Sequence, residues 1–310
     1  MLRYVTTGID SSTESVAAAH WAAREALRRG VPLRLVHAWT WHPRPAPSVP
    51  ADSSEHAWAE QTLDRTADSV RAAHPGLAVD RRLVSGTAVA ALLTEAGQSE
   101  LLVLGSRGLS GLAGFMTGSV SQRVVAGSAC PVVLVRSGEG STDEHLPVLD
   151  GVSPDEISKT PYRDVLLGLG TRHPCDELLE FAFTAARLRG ADLRVAHAFR
   201  VPAAQAADGP WEPVPGPGPG SGPEPEPLAA REHTVIAVLR PWCEKFPEVS
   251  VTATVCEGRA ATELVRASAG ASLVVVGRRT RDGRFGTHLG PVAHAVLHHV
   301  GCPVAVVPHA

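Results

Sequence analysis

The sequence predicts two α/β domains in tandem, each a doubly wound parallel sheet sandwiched by helices. Three observations predict it. RYVTTGIDSSTESVAAAHWAAREALRRGVPLRLVHAW (3–39) aligns without a gap on RDVLLGLGTRHPCDELLEFAFTAARLRGADLRVAHAF (163–199), with Arg3/Arg163, Gly8/Gly168, Gly30/Gly190, Leu33/Leu193 and His37/His197 coinciding. ELLVLGSRG (100–108) and SACPVVLV (128–135) return as SLVVVGRRT (272–280) and VGCPVAVV (300–307), so the repeat runs through both halves. Within each copy, short apolar runs alternate with helix-length segments, the pattern of parallel strands joined by crossover helices.

In the first copy RYVTTGI (3–9) reads as a strand. Residues 13–29 read as a helix with Ala17, Trp21, Ala22 and Leu27 inward, stopped by Gly30. LRLVHAW (33–39) is the second strand, a polar Pro-rich stretch leads to a helix over about 54–73, and LAVDRRLV (77–84) is the third. Thr87–Ala96 is a short helix, LLVLG (101–105) a buried strand, Gly118–Ala126 a helix and PVVLV (131–135) the last strand. The polar, turn-rich SGEGSTDEHLPVLDGVSPDEISKT (137–160) marks a linker. The expected division is therefore 1–137, linker 138–160, and 161–310. Inside the second copy GPGPGSGPEPEP (216–227) cannot build a core, and a disordered loop is expected over about 202–228.

Composition narrows the function classes. The 310 residues are 44% hydrophobic and 20% charged, enough for two ordinary cores, and the net charge of −3 provides no basic field for nucleic acid or anionic membrane. The N-terminus lacks the basic and long apolar regions of a signal peptide, and no run approaches a membrane span, so a cytoplasmic protein is expected. Five cysteines without a C-x-x-C pair argue for ordinary buried thiols rather than a disulfide framework or zinc knuckle.

Ligands of such sheets sit beyond the carboxyl ends of the strands. Three features of the first copy meet there: Asp10 after strand one, Ala38 closing strand two, and GSRGLSGLAGFMTGSVS (105–121) after strand four. Gly105, two residues, Gly108, nine residues, Gly118 and Ser119 give bare backbone at the strand exit. Gly108 can adopt φ > 0, and Gly118 with Ser119 would aim free N–H groups, a hydroxyl and a helix dipole at one point, which suits phosphate. Ser119 as a plain N-cap is the bland alternative. His37 and His197 end equivalent strands, so a structural role is expected for both. Trp39 and Trp41 could flank a base, although Phe199 in the other copy favours packing for Trp39. For His294 and His298, four apart on a helix with His288 upstream, a structural or exposed role outweighs a metal site, and no metal ligand is assigned.

These residues resemble the universal stress protein family, whose ATP-binding members carry G-x2-G-x9-G-[ST] after the fourth strand and an aspartate after the first. GIDSS, LVHAW, VLGSRG and TGSVSQRVV…CPVVLV match in order across 3–136, and a weaker copy covers 163–307. The resemblance implies a five-stranded parallel sheet per domain and ATP, with Mg2+, as the ligand. It implies that Ile9, Asp10 and the Ala38 backbone hold the adenosine, that Gly105 lies near the ribose, and that Arg107, Gly108, Gly118, Ser119, Val120 and Ser121 lie near the phosphates. It also implies pairing through the last strands, either as a homodimer or between the two copies.

The second copy departs at each decisive position: Gly170 stands for Asp10, Thr280 for Gly108 and Pro291 for Ser119, with only Gly277 and Gly290 kept. A lost ATP site is expected there, and Arg278, Arg279, Arg281 and Arg284 read as a solvated charged face. A nucleotide-binding stress or regulatory module is the expected function, with no catalytic residue assigned. A slow ATP-hydrolysing enzyme is the alternative, against which stand the absent lysine phosphate loop and the lack of a base to activate water.

Overall fold

The computed structural model describes residues 3–39, 51–108, 115–116, 118–138, 144–146, 160–172, 175–200, 227–280 and 289–310, without the side chains of 51–55, 107, 108, 115 and 116. Trp41, His288, Arg281, Arg284 and residues 202–226 of the expected loop lie outside the described residues. The first half runs β1 (Tyr4–Gly8), α1 (Thr13–Arg29), β2 (Leu33–Trp39), α2 (Ala51–Ala73), β3 (Val79–Ser85), α3 (Ala88–Ala96), β4 (Ser99–Gly108), β5 (Phe115–Met116), α4 (Ser119–Gly127) and β6 (Val132–Arg136). The second runs β7 (Val165–Gly168), α5 (Asp176–Arg189), β8 (Leu193–Phe199), α6 (Leu228–Lys245), β9 (Val251–Glu257), α7 (Ala260–Ala267), β10 (Leu273–Arg279), α8 (Pro291–His299) and β11 (Val304–His309).

Each half builds a parallel sheet from its repeat, and the two sheets fuse into one with the order β3-β2-β1-β4-β6-β11-β10-β7-β8-β9. The seam is an antiparallel pair between the last strands, Leu134 opposite Val304, Val133 opposite Ala305 and Val132 opposite Val306. Val133 and Ala305 are repeat equivalents, so the seam lies on a local pseudo-twofold axis. Of the two arrangements implied for the last strands, the chain uses the internal one, and neither strand presents its seam edge to a second molecule. Burial on both faces explains the near-continuous valine and leucine of the central strands, such as Leu101 to Leu104 in β4 and Leu273 to Val276 in β10.

Local sequence sets the helix ends. Gly30 (φ 66°) and Gly190 (φ 57°) close α1 and α5 in the left-handed conformation, their N–H groups returning to Ala26/Leu27 and Ala186/Arg187 carbonyls. Within α1, Trp21 and Ala22 are buried as expected, but Leu27 is 47% exposed and Glu25 is buried at 1%. The reason is a second neighbour. α1 packs against its own sheet and also against α5 across the seam, and Glu25 faces that contact.

There Glu25 accepts from Arg28 (2.7 Å), Arg29 (2.8 Å) and, from the other half, Arg189 (2.9 Å). Arg29 and Arg189 are repeat equivalents, with one carboxylate serving both. Glu144 adds a second anion, bonded to Arg24 and Arg28 at 2.7 Å each. Burial pushes both carboxyls up, but the surrounding guanidiniums outweigh it and hold them well below the usual carboxylate range. The stretch read as a linker thus contributes a buried charge to the junction. Its neighbour His145 bridges Tyr162, whose ring lies under Arg28 at 5.1 Å.

Arg278 is a further correction. It is 3% exposed, and its Nη2 donates to the Ser128 carbonyl at 2.5 Å. The expected solvated face fails at this residue because β10 lies only one strand from the seam, so its end meets the first half. No helix among the described residues is long and apolar enough to cross a membrane.

Candidate functional site

The carboxyl ends of β1, β2 and β4 and the start of α4 lie along one edge of the first half. β1 leaves the sheet at Ile9, whose N–H donates to Val36 O (2.8 Å) and whose carbonyl accepts from His37 Nδ1 (2.7 Å). His197 donates likewise to Leu169 O (2.9 Å) in the second half. Both histidines are buried clamps between neighbouring strand ends, the structural role expected of them.

Beyond Ile9 the chain turns sharply. Asp10 Oδ1 accepts from Ser12 N (3.1 Å) and Ser12 Oγ (2.5 Å), and Ser11 between them has φ 66°, the one left-handed non-glycine residue among those described. Such backbone strain is held only where surrounding bonds over-determine it. Ser12 then caps α1 by accepting from Ser15 N (3.2 Å), while Ser15 Oγ accepts from Asp10 N (3.3 Å). Asp10 is exposed at this turn and Ala38 stands nearby in β2. Ser11 and Ser12 were not singled out from sequence, although a serine run before a helix is an N-cap signal.

Gly105 has a different neighbour from the one its spacing suggests. A Cβ there would stand 2.5 Å from Glu14 C and 2.8 Å from Ser15 N, so the first turn of α1 requires glycine whatever ligand binds. β4 also runs on past Gly105. Arg107 and Gly108 remain in the strand, registered against Met116 and Phe115 of β5, so Gly108 belongs to a short antiparallel ribbon rather than the free left-handed turn expected. The period-two signal of so short a strand is too weak to read beside glycine.

α4 begins as anticipated. Gly118 caps it with extended geometry, no side-chain cap bond and nothing within 4 Å of a built Cβ. Ser119 and Val120 are exposed, and the first turn carries no acidic residue. The leading N–H groups of a helix lack intrahelical acceptors, and the first such bond here is Gln122 N to Gly118 O. The dipole and these donors make an anion-receptive tip. Ser121 is buried and its hydroxyl donates to Gly105 O at 3.4 Å, which ties the helix start to the strand exit. Ile9, Asp10, Ala38, Gly105, Gly118, Ser119, Val120 and Ser121 therefore share one edge, with the backbones of Arg107 and Gly108 in the ribbon beside them.

The equivalent edge of the second half is built differently. α5 has 14 residues against 17 in α1, and its N-cap is Cys175, whose Sγ accepts from Leu178 N (3.3 Å). Among the described residues, side chains stand nearest a built Cβ at Gly277: the His309 ring, with Nε2 at 2.8 Å, and Leu178 Cδ2 of α5 at 3.3 Å. Thr280 N and Oγ1 both donate to His309 O, at 2.6 and 2.8 Å. Pro291 opens α8 without an N–H.

Comparison with known proteins agrees with this duplication. A family model described as "Universal stress protein family" matches residues 1–136 and again 161–308. The universal stress protein Rv2005c of Mycobacterium tuberculosis is 33% identical over 316 residues, which cover 97% of this chain and 96% of the relative. Rv2623 of the same organism is 31% identical over 314 residues, covering 97% and 95%. Among solved structures, a universal stress protein from Archaeoglobus fulgidus superposes with a TM-score of 0.69 at 17% identity, covering 99% of this chain and 98% of that one. The chain therefore belongs to the universal stress protein family, with two family domains in one polypeptide.

Proposed function

We propose that the chain is a nucleotide-responsive regulatory module of the stress-response type, which binds ATP with Mg2+ in its first half and uses its second half as a fixed pairing partner. The observation that carries this reading is the difference between two edges built on one fold. The first combines Asp10 at the turn with Ser119 at the first position of α4, where the second carries Gly170 and Pro291 and so lacks the carboxylate, the hydroxyl and one helix-tip N–H. Asp10, Ile9 and the Ala38 backbone would hold the nucleoside. The N–H groups at the start of α4, with Ser119, would take the phosphates, where Mg2+ would offset their charge.

The binding step itself would carry the signal. Ser121 ties α4 to Gly105, and Arg278 ties the Ser128 carbonyl at the other end of α4 to the second half. A phosphate held at the helix tip would thus load an element anchored at both ends. Differential scanning fluorimetry of the purified chain with and without MgATP tests the reading. A rise in melting temperature is expected because ligand binds the native state; no shift at millimolar MgATP would overturn it. Steady ADP release abolished by Ser119→Ala would replace the regulatory reading with hydrolysis.

A further inference from the structure

Trp58 has no place in the site described above. It lies on α2 with 51% of its surface exposed, which leaves indole surface open to a ligand. Its ring meets that of His37 edge-on, with centroids 5.8 Å apart and planes at 73°. His37 in turn donates to the Ile9 carbonyl, one residue before Asp10. Close by on the same helix, His56 meets Trp39 at 5.2 Å, so the start of α2 lies over the carboxyl end of β2. An indole, an imidazole and the β1 exit thus form a continuous path leading to the Asp10 turn.

The second half supplies the control. His197 makes the same bond to the β7 exit as His37 makes to β1, yet among the described residues it has no aromatic ring against it. Alignment through the buried pairs Leu63/Val235 and Ala67/Leu239 sets Ala230 opposite Trp58. Phe199, the equivalent of Trp39, is covered by the Arg231 guanidinium at 4.3 Å. The half that lacks the aspartate and the helix-tip serine thus carries Ala230 at the helix position where the first half carries Trp58.

We infer that the Trp58 indole is the platform on which the base of the bound nucleotide lies, with the sugar directed toward Asp10. This rests on the nucleotide reading given above and adds the residue that contributes base affinity. Aromatic faces stack on bases with little preference among them, so the platform strengthens binding of a nucleoside over bare phosphate and leaves the choice of purine to the neighbouring backbone.

Calorimetric titration of the full chain and of Trp58→Ala and Trp58→Phe, with MgATP and with magnesium tripolyphosphate as separate probes, tests this. Trp58→Ala is expected to weaken ATP by about tenfold or more, the range of a lost stacking contact, and to leave tripolyphosphate within about twofold. Trp58→Phe is expected to recover most of the ATP affinity. Where Trp58→Ala does not fold, indole emission decides: MgATP should quench the wild-type chain more than Trp58→Phe, and equal quenching would overturn the assignment. An unchanged ATP affinity in Trp58→Ala, or an equal loss for both probes, would also overturn it while leaving the nucleotide site in place. Failure of the wild-type chain to bind ATP would remove the nucleotide reading itself, and this assignment with it.

Discussion

The two halves share strand order, helix-closing glycines and histidine clamps, but differ in the turn that follows the first strand. In the first half, Asp10 and Ser12 bend the chain through a strained Ser11 and start α1 early enough to lay its backbone over Gly105. In the second, Gly170 stands in place of Asp10, the helix begins at Asp176, later in the repeat, and the His309 ring and Leu178 stand nearest the corresponding glycine among the described residues. The sheet does not depend on the turn. A duplicated α/β unit can therefore diverge at this edge while keeping its core, because exposed positions such as Asp10 and Ser119 contribute little to the packing that holds the strands together.

The junction between the halves offers the largest effect. Glu25 is the single carboxylate between the repeat-related Arg29 and Arg189, and Glu25→Ala should leave buried guanidiniums uncompensated at a cost of about 3–5 kcal/mol in urea unfolding. Ala185 is its repeat equivalent, and adding Ala185→Glu should recover part of that loss if the pseudo-twofold is chemically real. No recovery would show that the two sides of the axis are not interchangeable.

Next in size is the ligand effect. MgATP at about a hundred times its dissociation constant should stabilise the wild-type chain by about 2.7 kcal/mol. Asp10→Ala should abolish most of that shift in a thermal melt, whereas Pro291→Ser should leave it intact. The reverse pattern would assign the competent edge to the wrong half.

The glycines under the two helices give a smaller contrast. Gly105→Ala meets main chain and should cost about 1–3 kcal/mol, with α1 displaced. Gly277→Ala meets only side-chain atoms, the His309 imidazole and Leu178 Cδ2, which can shift, and should cost less than about 1 kcal/mol. Equal costs in chemical denaturation would mean that His309 is as fixed as backbone.

The smallest effect is acidic. Glu25 and Glu144 have folded pKa values below their unfolded ones, so the stability they contribute is present above the unfolded value and lost as pH falls. Between about pH 5 and pH 4 the unfolded chain takes up protons that the folded chain refuses, worth about 0.7 kcal/mol for Glu25, with a contribution of the same sign from Glu144. Glu144→Gln should flatten the slope of unfolding free energy against pH.

Much of this was legible in the sequence for identifiable reasons. The gap-free repeat and the alternation of strands with helices mark the architecture, and Asp10, Gly118 and Ser119 could be placed at one edge because strand ends are predictable from local pattern. His37 and His197 could be read as structural because each checked the other. What escaped notice depended on distant neighbours. Leu27 read as inward, and nothing in the sequence marked Glu25 as buried, until α5 was packed against α1. Arg278 looked solvated until the seam brought Ser128 to it, and Trp58 had no meaning until α2 lay over β2.

The order of chain elements, the glycine-closed helices and the decay of the second ligand motif are properties of short stretches, governed by backbone preference and by which residues can donate or accept where a strand ends. The fused sheet, the carboxylate shared by two repeat-related arginines and the helix backbone over Gly105 were decided only by tertiary structure. Each depends on surfaces far apart in the chain meeting in one register, and a buried charge is tolerable only once its partners arrive from elsewhere in the chain.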